Sequence, residues 1–160
     1  MADLPPSDEV PASPSSAPDA TVVDAGVVVA QVISTADSPR VGRLWDSLQS
    51  GRVLVYAPAL WRYELTSVLR RYVYDGLLTE ADADGAVRRA IDLGILGLDE
   101  SPEYHVAALR WASRLSHRAA HDSFYLSAAE MLGAVLWTCD GKLARRAQQI
   151  GAPWVREVEP

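Results

Sequence analysis

"AVLWTCD", residues 134–140, is a short apolar run that stops on an acid, and "TVVD", residues 21–24, does the same near the other end of the chain. Short apolar runs without polar alternation suit strands covered on both faces of a sheet. Around these two, strand-like and helix-like stretches alternate. Val22–Val23 predict a strand and Val27–Ile33 a short helix; Val41, Leu44, Trp45 and Leu48 take helical spacing after Pro39. "VLVYAP" (53–58) predicts a strand ended by proline, and "ALWRYELTSVLRRYVYDG" (59–76) a long helix stopped by glycine. Thr79 is placed to cap a helix over "EADADGAVRRAIDL", and "ILGL" (95–98) predicts a further strand. Helices follow over 102–115, with proline in the first turn, and over 121–132, ending at Gly133. The run 134–138 is then a strand, "KLARRAQQI" a helix and "APWV" a last strand. The alternation predicts one α/β domain whose mainly parallel sheet of about four to five short strands is flanked by helices.

The 160 residues suffice for one domain, and a hydrophobic content of 49% supplies its core. Residues 1–20 are rich in Pro, Ser and Ala and hold no aromatic residue. Such a stretch cannot bury enough surface to offset chain entropy, so a disordered tail is expected there and a folded domain over 21–160. The net charge of −6 at first argues against a nucleic-acid partner. Four of the 21 acids lie in the tail, however, which leaves 17 against 15 bases. If four more bind metal, the remaining surface is mildly basic, and charge neither supports nor excludes RNA. The single cysteine, Cys139, permits no internal disulfide and fits a reducing compartment, as a small buried residue at a strand end. The start of the chain lacks the basic and apolar segments of a secretory signal. "VVDAGVVVAQVI" is too short to span a bilayer and contains an acid. A soluble, cytoplasmic protein is expected.

In open parallel sheets, ligands bind beyond the carboxyl ends of the strands. Asp24 and Asp140 both stand at such ends, and they face one crevice if their strands are neighbours. Glu64 lies in the long helix between Leu60 and Val68, where a carboxylate is costly unless paired or bound to a cation. Asp122 opens the helix leading into the 134–138 strand. Each acid also has a local explanation: Asp140 and Asp122 as helix caps, Asp24 in an Asx-turn, Glu64 beside a buried arginine. Those explanations are independent and do not require the four to meet. If they meet, their mutual repulsion is relieved by a hard divalent cation, Mg²⁺ or Mn²⁺. His105, His117 and His121 show no zinc spacing, and His121 reads as structural or as support for Asp122. Carboxylate-held Mg²⁺ suits hydrolysis of a phosphodiester backbone.

The ordered set "VVDAGVVV", "PALWRYELTSVL" and "HDSFYLSAAEMLGAVLWTCDGKLARRA" resembles the PIN-domain ribonucleases, most closely the VapC-type toxins of bacterial toxin–antitoxin pairs. The likeness covers about residues 21–155 and includes D-x-x-Y-L-x-x-A-E-x-x-G from Asp122 and T-x-D ending at Asp140. It implies a PIN-like fold and a Mg²⁺- or Mn²⁺-dependent endoribonuclease. Carried over by position, Asp24, Glu64, Asp122 and Asp140 hold the metal and activate water. Thr138 matches the family's hydroxyl residue, with a hydrogen bond to a ligand or to Asp24. Two positions depart from the pattern. Gly26 stands where Ser, Thr or Asn is usual, and Ser67 where Asn is usual, which weakens support around the acids. The resemblance also implies a cognate antitoxin and a homodimer.

RNA requires positive charge beside the acids. Lys142, Arg145 and Arg146 follow Asp140 and are candidate phosphate contacts, or else a solvated helical face. Arg62, Arg70 and Arg71 on the Glu64 helix carry the same ambiguity. Trp61, Tyr63, Tyr72 and Tyr74 cover more than one face of that helix, through core packing or a partner. Two other classes compete with the nuclease. One is a catalytically weakened RNA- or protein-binding module, favoured by Gly26 and Ser67. The other is a phospho-acceptor signalling domain, which requires a lysine at a strand end that this sequence does not offer.

Overall fold

A computed structural model describes residues 19–159. The expected disordered tail lies outside the described residues up to position 18. Asp19 and Ala20 are described, and Ala20 already opens the first strand.

Eleven elements follow along the described residues: β1 (Ala20–Val23), α1 (Ala25–Val32), α2 (Ser38–Ser50), β2 (Leu54–Tyr56), α3 (Leu60–Tyr74), α4 (Glu80–Asp92), α5 (Pro102–Leu115), α6 (His121–Leu132), β3 (Val135–Thr138), α7 (Gly141–Gln149) and β4 (Val155–Glu157). The four strands form one parallel sheet in the order β2-β1-β3-β4. Thr21, Val22 and Val23 pair with Val135, Leu136 and Trp137. The two acid-ended strands are therefore neighbours. The chain leaves β1 toward β2 on one side and returns to β3 on the other, so the crevice between β1 and β3 is the topological switch point of the sheet.

Val22, Val23, Leu136 and Val155 are fully buried, as strands covered on both faces require. Helix α6 packs on β1 and β3, α7 on β3 and β4, and α5 on α6, while α1 meets α2, α3 and α4. Helix boundaries follow local chemistry. Thr79 caps α4 in a reciprocal pair with Asp82, Ser101 caps α5 ahead of Pro102, and α6 ends on Gly133 in the left-handed conformation. The expected strand over 95–98 shrinks to one bridge, Tyr56 to Leu96, with the flanking Gly94 at φ +70°. The last strand lies later than "APWV". The N–H of Ala152 is spent on the Ala147 carbonyl, which closes α7, and Pro153 has no N–H, so regular pairing starts at Val155. Among the described residues no helix is long and apolar enough to cross a membrane.

Candidate active site

At the carboxyl edge of the sheet, a cleft of about 850 Å³ is lined by Asp24, Glu64, Asp122 and Asp140 together. Each arrives from a different element. Asp24 leaves β1, and its N–H donates to the Trp137 carbonyl of β3 at 3.1 Å, which locks it beside the neighbouring strand. Its Oδ1 accepts from the Val27 N–H at 2.9 Å and so caps α1. Asp140 leaves β3 and caps α7, its Oδ1 accepting from the N–H groups of Lys142 at 2.8 Å and Leu143 at 3.1 Å. The capping role read locally for Asp140 is real, as is a local backbone bond for Asp24, and both coexist with a place in the common cleft. A helix N-terminus fixes a carboxylate's direction without consuming its whole acceptor capacity.

Glu64 comes from α3, and among the described residues no arginine forms an ion pair with it. Its Oε2 accepts from the Tyr125 hydroxyl of α6 at 2.5 Å. Tyr125 is buried, and burial first, then the bond to Glu64, hold its phenol well above the usual tyrosine range. It stays protonated and serves Glu64 as a fixed donor. Asp122 is not the cap of α6. Ala120 holds that position, and Asp122 sits in the first turn, where the helix dipole favours an anion. Its Oδ2 lies 3.4 Å from His117 Nδ1. His121 lines the cleft beside it.

Asp24 carries the electrostatic strain. Burial raises its carboxyl from an ordinary 3.8 to about 6, opposed by hydrogen bonds from Thr138 and the Val27 N–H and reinforced by the charges of Asp122 and Glu64. Thr138 is fully buried and brackets two acids: its oxygen accepts the Asp140 N–H at 2.9 Å, and its hydroxyl favours the charged form of Asp24.

Other expected site residues stand differently. Ser67 lines the cleft, but its Oγ donates to the Tyr63 carbonyl one turn back, not to an acid. Gly26 lines the cleft with no side chain to offer, and a Cβ there would lie 3.3 Å from Asp24 Oδ1. Lys142 and Arg145 are not among the cleft's lining residues, and they stand on the solvated face that was the other reading of this helix. Helix α7 buries Leu143, Ala144 and Ala147, which turns both basic side chains to the surface, and Arg145 pairs with Glu157 at 3.7 Å. The lining includes Arg71, Tyr63 and Tyr125 instead. Spacing signalled two of them, since Tyr125 follows Asp122 by three and Arg71 follows Glu64 by seven, whereas Tyr63, adjacent to Glu64 in the chain, carried no such signal.

Among the described residues, no three acid, His or Cys side chains stand close enough to be a ready metal cage. The donor set nevertheless fits a hard cation. It is all carboxylate oxygen, and one member is raised by burial and by its acidic neighbours. Mg²⁺ suits such a spread set, since it is held through few direct carboxylates and keeps several waters.

No protein-family model matches the chain. The fold has a solved counterpart, PAE2754 from Pyrobaculum aerophilum, with a TM-score of 0.61 at 22% identity, covering 81% of this chain and 79% of that one. The architecture is thus PIN-like: a four-stranded parallel sheet, helices on its faces, and acids gathered at the carboxyl edge. Ribonuclease VapC3 from two strains of Mycobacterium tuberculosis is 34% identical over 136 residues, 84% of this chain and 92% of the relative. The chain belongs to the VapC ribonuclease family.

Proposed function

We propose that this protein is a metal-dependent endoribonuclease, the toxin of a toxin–antitoxin pair. The observation that carries the reading is the convergence of Asp24, Glu64, Asp122 and Asp140 on one cleft at the switch point of the sheet. These four would hold Mg²⁺ or Mn²⁺. A bound divalent cation there supplies positive charge for phosphoryl oxygens and lowers the pKa of a coordinated water.

The chain's own groups prepare the reaction. The Tyr125 hydroxyl pins Glu64 Oε2, Thr138 and the α1 N-terminus pin Asp24, and the α7 N-terminus pins Asp140. Pre-set carboxylates need no reorganisation when substrate arrives. Asp24 ionises near 6, so above that pH it would offer a charged carboxylate to help hold the cation. Hydrolysis adds water across a P–O bond of the RNA backbone and leaves one phosphate end and one hydroxyl end.

The same reading brings an RNA substrate, a cognate antitoxin, a homodimer and a cytoplasmic setting. Helix α3 supports a protein partner, because Tyr74 remains 79% exposed at its end and Leu77 67% exposed just beyond. Exposed apolar groups of this size suit an interface.

Purified protein freed of antitoxin should cut bacterial RNA when Mg²⁺ or Mn²⁺ is added and stop when EDTA is added. Asp122→Asn should lower the rate on the order of a hundredfold or more. Intact RNA in the presence of metal, or an Asp122→Asn variant as active as wild type, refutes the reading. One alternative has specific support. Gly26 offers no donor and Ser67 bonds its own helix, so the acids have less help than the family pattern expects. A weakened binding module would bind RNA or protein without carboxylate-dependent uptake of metal, which titration calorimetry distinguishes.

A further inference from the structure

Three arginines lie on α3, and two of them are engaged. Arg62 stacks over the Trp61 ring at 4.9 Å and Arg70 over the Tyr74 ring at 5.7 Å. Arg71 has no ion pair or aromatic partner among the described residues, and it is the one basic Lys or Arg side chain lining the acid cleft. Tyr63 lines the same cleft with 72% of its surface exposed, and no ring or cation covers it among the described residues. Positions 63, 67 and 71 recur every four residues and share one side of the helix, with Glu64 beside them. One helical side therefore presents an uncovered aromatic face, a catalytic-type carboxylate and an uncommitted guanidinium, in that order.

An uncovered tyrosine beside carboxylates is poor core chemistry, yet it suits a flat, polarisable ligand. Unpaired nucleobases stack on aromatic side chains, and such stacking tolerates any base. A guanidinium two turns further along matches a backbone phosphate. A base held in a duplex has both faces covered and cannot use the ring. We infer that Tyr63 and Arg71 form a substrate-binding strip for single-stranded RNA: one unpaired base stacks on Tyr63, an adjoining phosphate meets Arg71, and the intervening backbone lies over Glu64. This inference rests on the ribonuclease reading of the cleft.

The test compares wild type with Tyr63→Phe, Tyr63→Ala, Arg71→Gln and the charge-matched control Arg88→Gln on α4. Cleavage is followed on total bacterial RNA with Mg²⁺. Binding is followed by fluorescence anisotropy of short mixed-sequence RNA, single-stranded or duplex, each change being made in a Glu64→Gln background that leaves the RNA uncut. Tyr63→Ala should raise KM and Kd for single strands roughly tenfold with kcat changed little, and Tyr63→Phe should restore both. Arg71→Gln should weaken binding and flatten its dependence on log salt by about 0.7. Arg88→Gln should match wild type, and duplex RNA should bind more weakly than single strands. If wild type cuts RNA but Tyr63→Ala and Arg71→Gln match it in KM, Kd and salt slope, the strip is refuted while the nuclease stands. If duplex binds as tightly as single strands, the assignment to unpaired RNA falls. If wild type neither cuts nor binds RNA, the ribonuclease reading fails and takes the strip with it.

Discussion

Asp24→Asn should make the metal-free protein more stable near neutral pH, although it removes a residue that the site depends on. Folded, Asp24 ionises near 6; unfolded, it returns to its ordinary 3.8. Below about pH 3.8 both states hold the proton and the residue costs nothing. Between the two values the folded state keeps a proton that the unfolded state releases, so stability falls as pH rises. Above about pH 6 the whole cost is present. At about 1.36 kcal/mol for each tenfold change in a protonation equilibrium, the gap is worth about 3 kcal/mol. Asparagine carries no charge, and its amide oxygen can still accept the Val27 N–H, so the α1 cap survives. Placing the new amide N–H₂ in a partly buried site offsets some of the gain, which leaves about 2 kcal/mol. For a domain of this size that is a rise in Tm of about 4–8 °C. Thermal melts in EDTA at about pH 7 and about pH 4 measure it: the variant should melt higher at the first, and level with or slightly below wild type at the second, where the amide penalty remains and the carboxylate cost is nearly gone. Mg²⁺ should raise the wild-type Tm and narrow the gap. A variant melting at or below wild type at neutral pH, or an advantage that persists unchanged into acid, refutes the claim that Asp24 is held at a cost in the folded protein.

Other outcomes follow from the same contacts. Tyr125→Phe deprives Glu64 of its donor, and RNA cleavage should drop about tenfold to a hundredfold, with far-UV circular dichroism unchanged. Cys139, its thiol pushed up to about 12 chiefly by burial, should react with a thiol reagent far more slowly folded than in denaturant; equal rates contradict its burial. Thr79→Ala removes the half of the α4 capping pair in which Thr79 Oγ1 accepts the Asp82 N–H, while the Asp82 carboxylate keeps the backbone N–H of residue 79, and it should destabilise by about 1 kcal/mol in a urea titration. Leu136→Ala, at a fully buried position of β3, should cost about 2–5 kcal/mol and leave an active enzyme wherever the variant remains folded.

Much of this protein is determined locally. Helix α5 begins at Pro102 behind its Ser101 cap, α6 stops at Gly133, and α4 starts behind Thr79, because caps, prolines and left-handed glycines act within a few residues of where they are written. The apolar runs of β1 and β3 and the acids that end them are equally plain, since burial on both faces leaves a strand no polar alternation. The ordered acids, compared with a family pattern, were enough to point to a nuclease.

Tertiary structure decided which side chains meet. Only pairing of β1 with β3 sets Asp24 against Trp137 and opens the crevice between them. Only the packing of α3 near α6 brings Tyr125 to Glu64, 61 positions away in the chain. The positive charge shows the difference most sharply. Arg145 stands closer in sequence to Asp140, yet α7 turns it to Glu157, while Arg71, far from three of the four acids along the chain, lines the cleft. Sequence proximity constrains a side chain only through the helix or strand that carries it. Which face of that element turns to the site depends on where the rest of the molecule buries its apolar stripe.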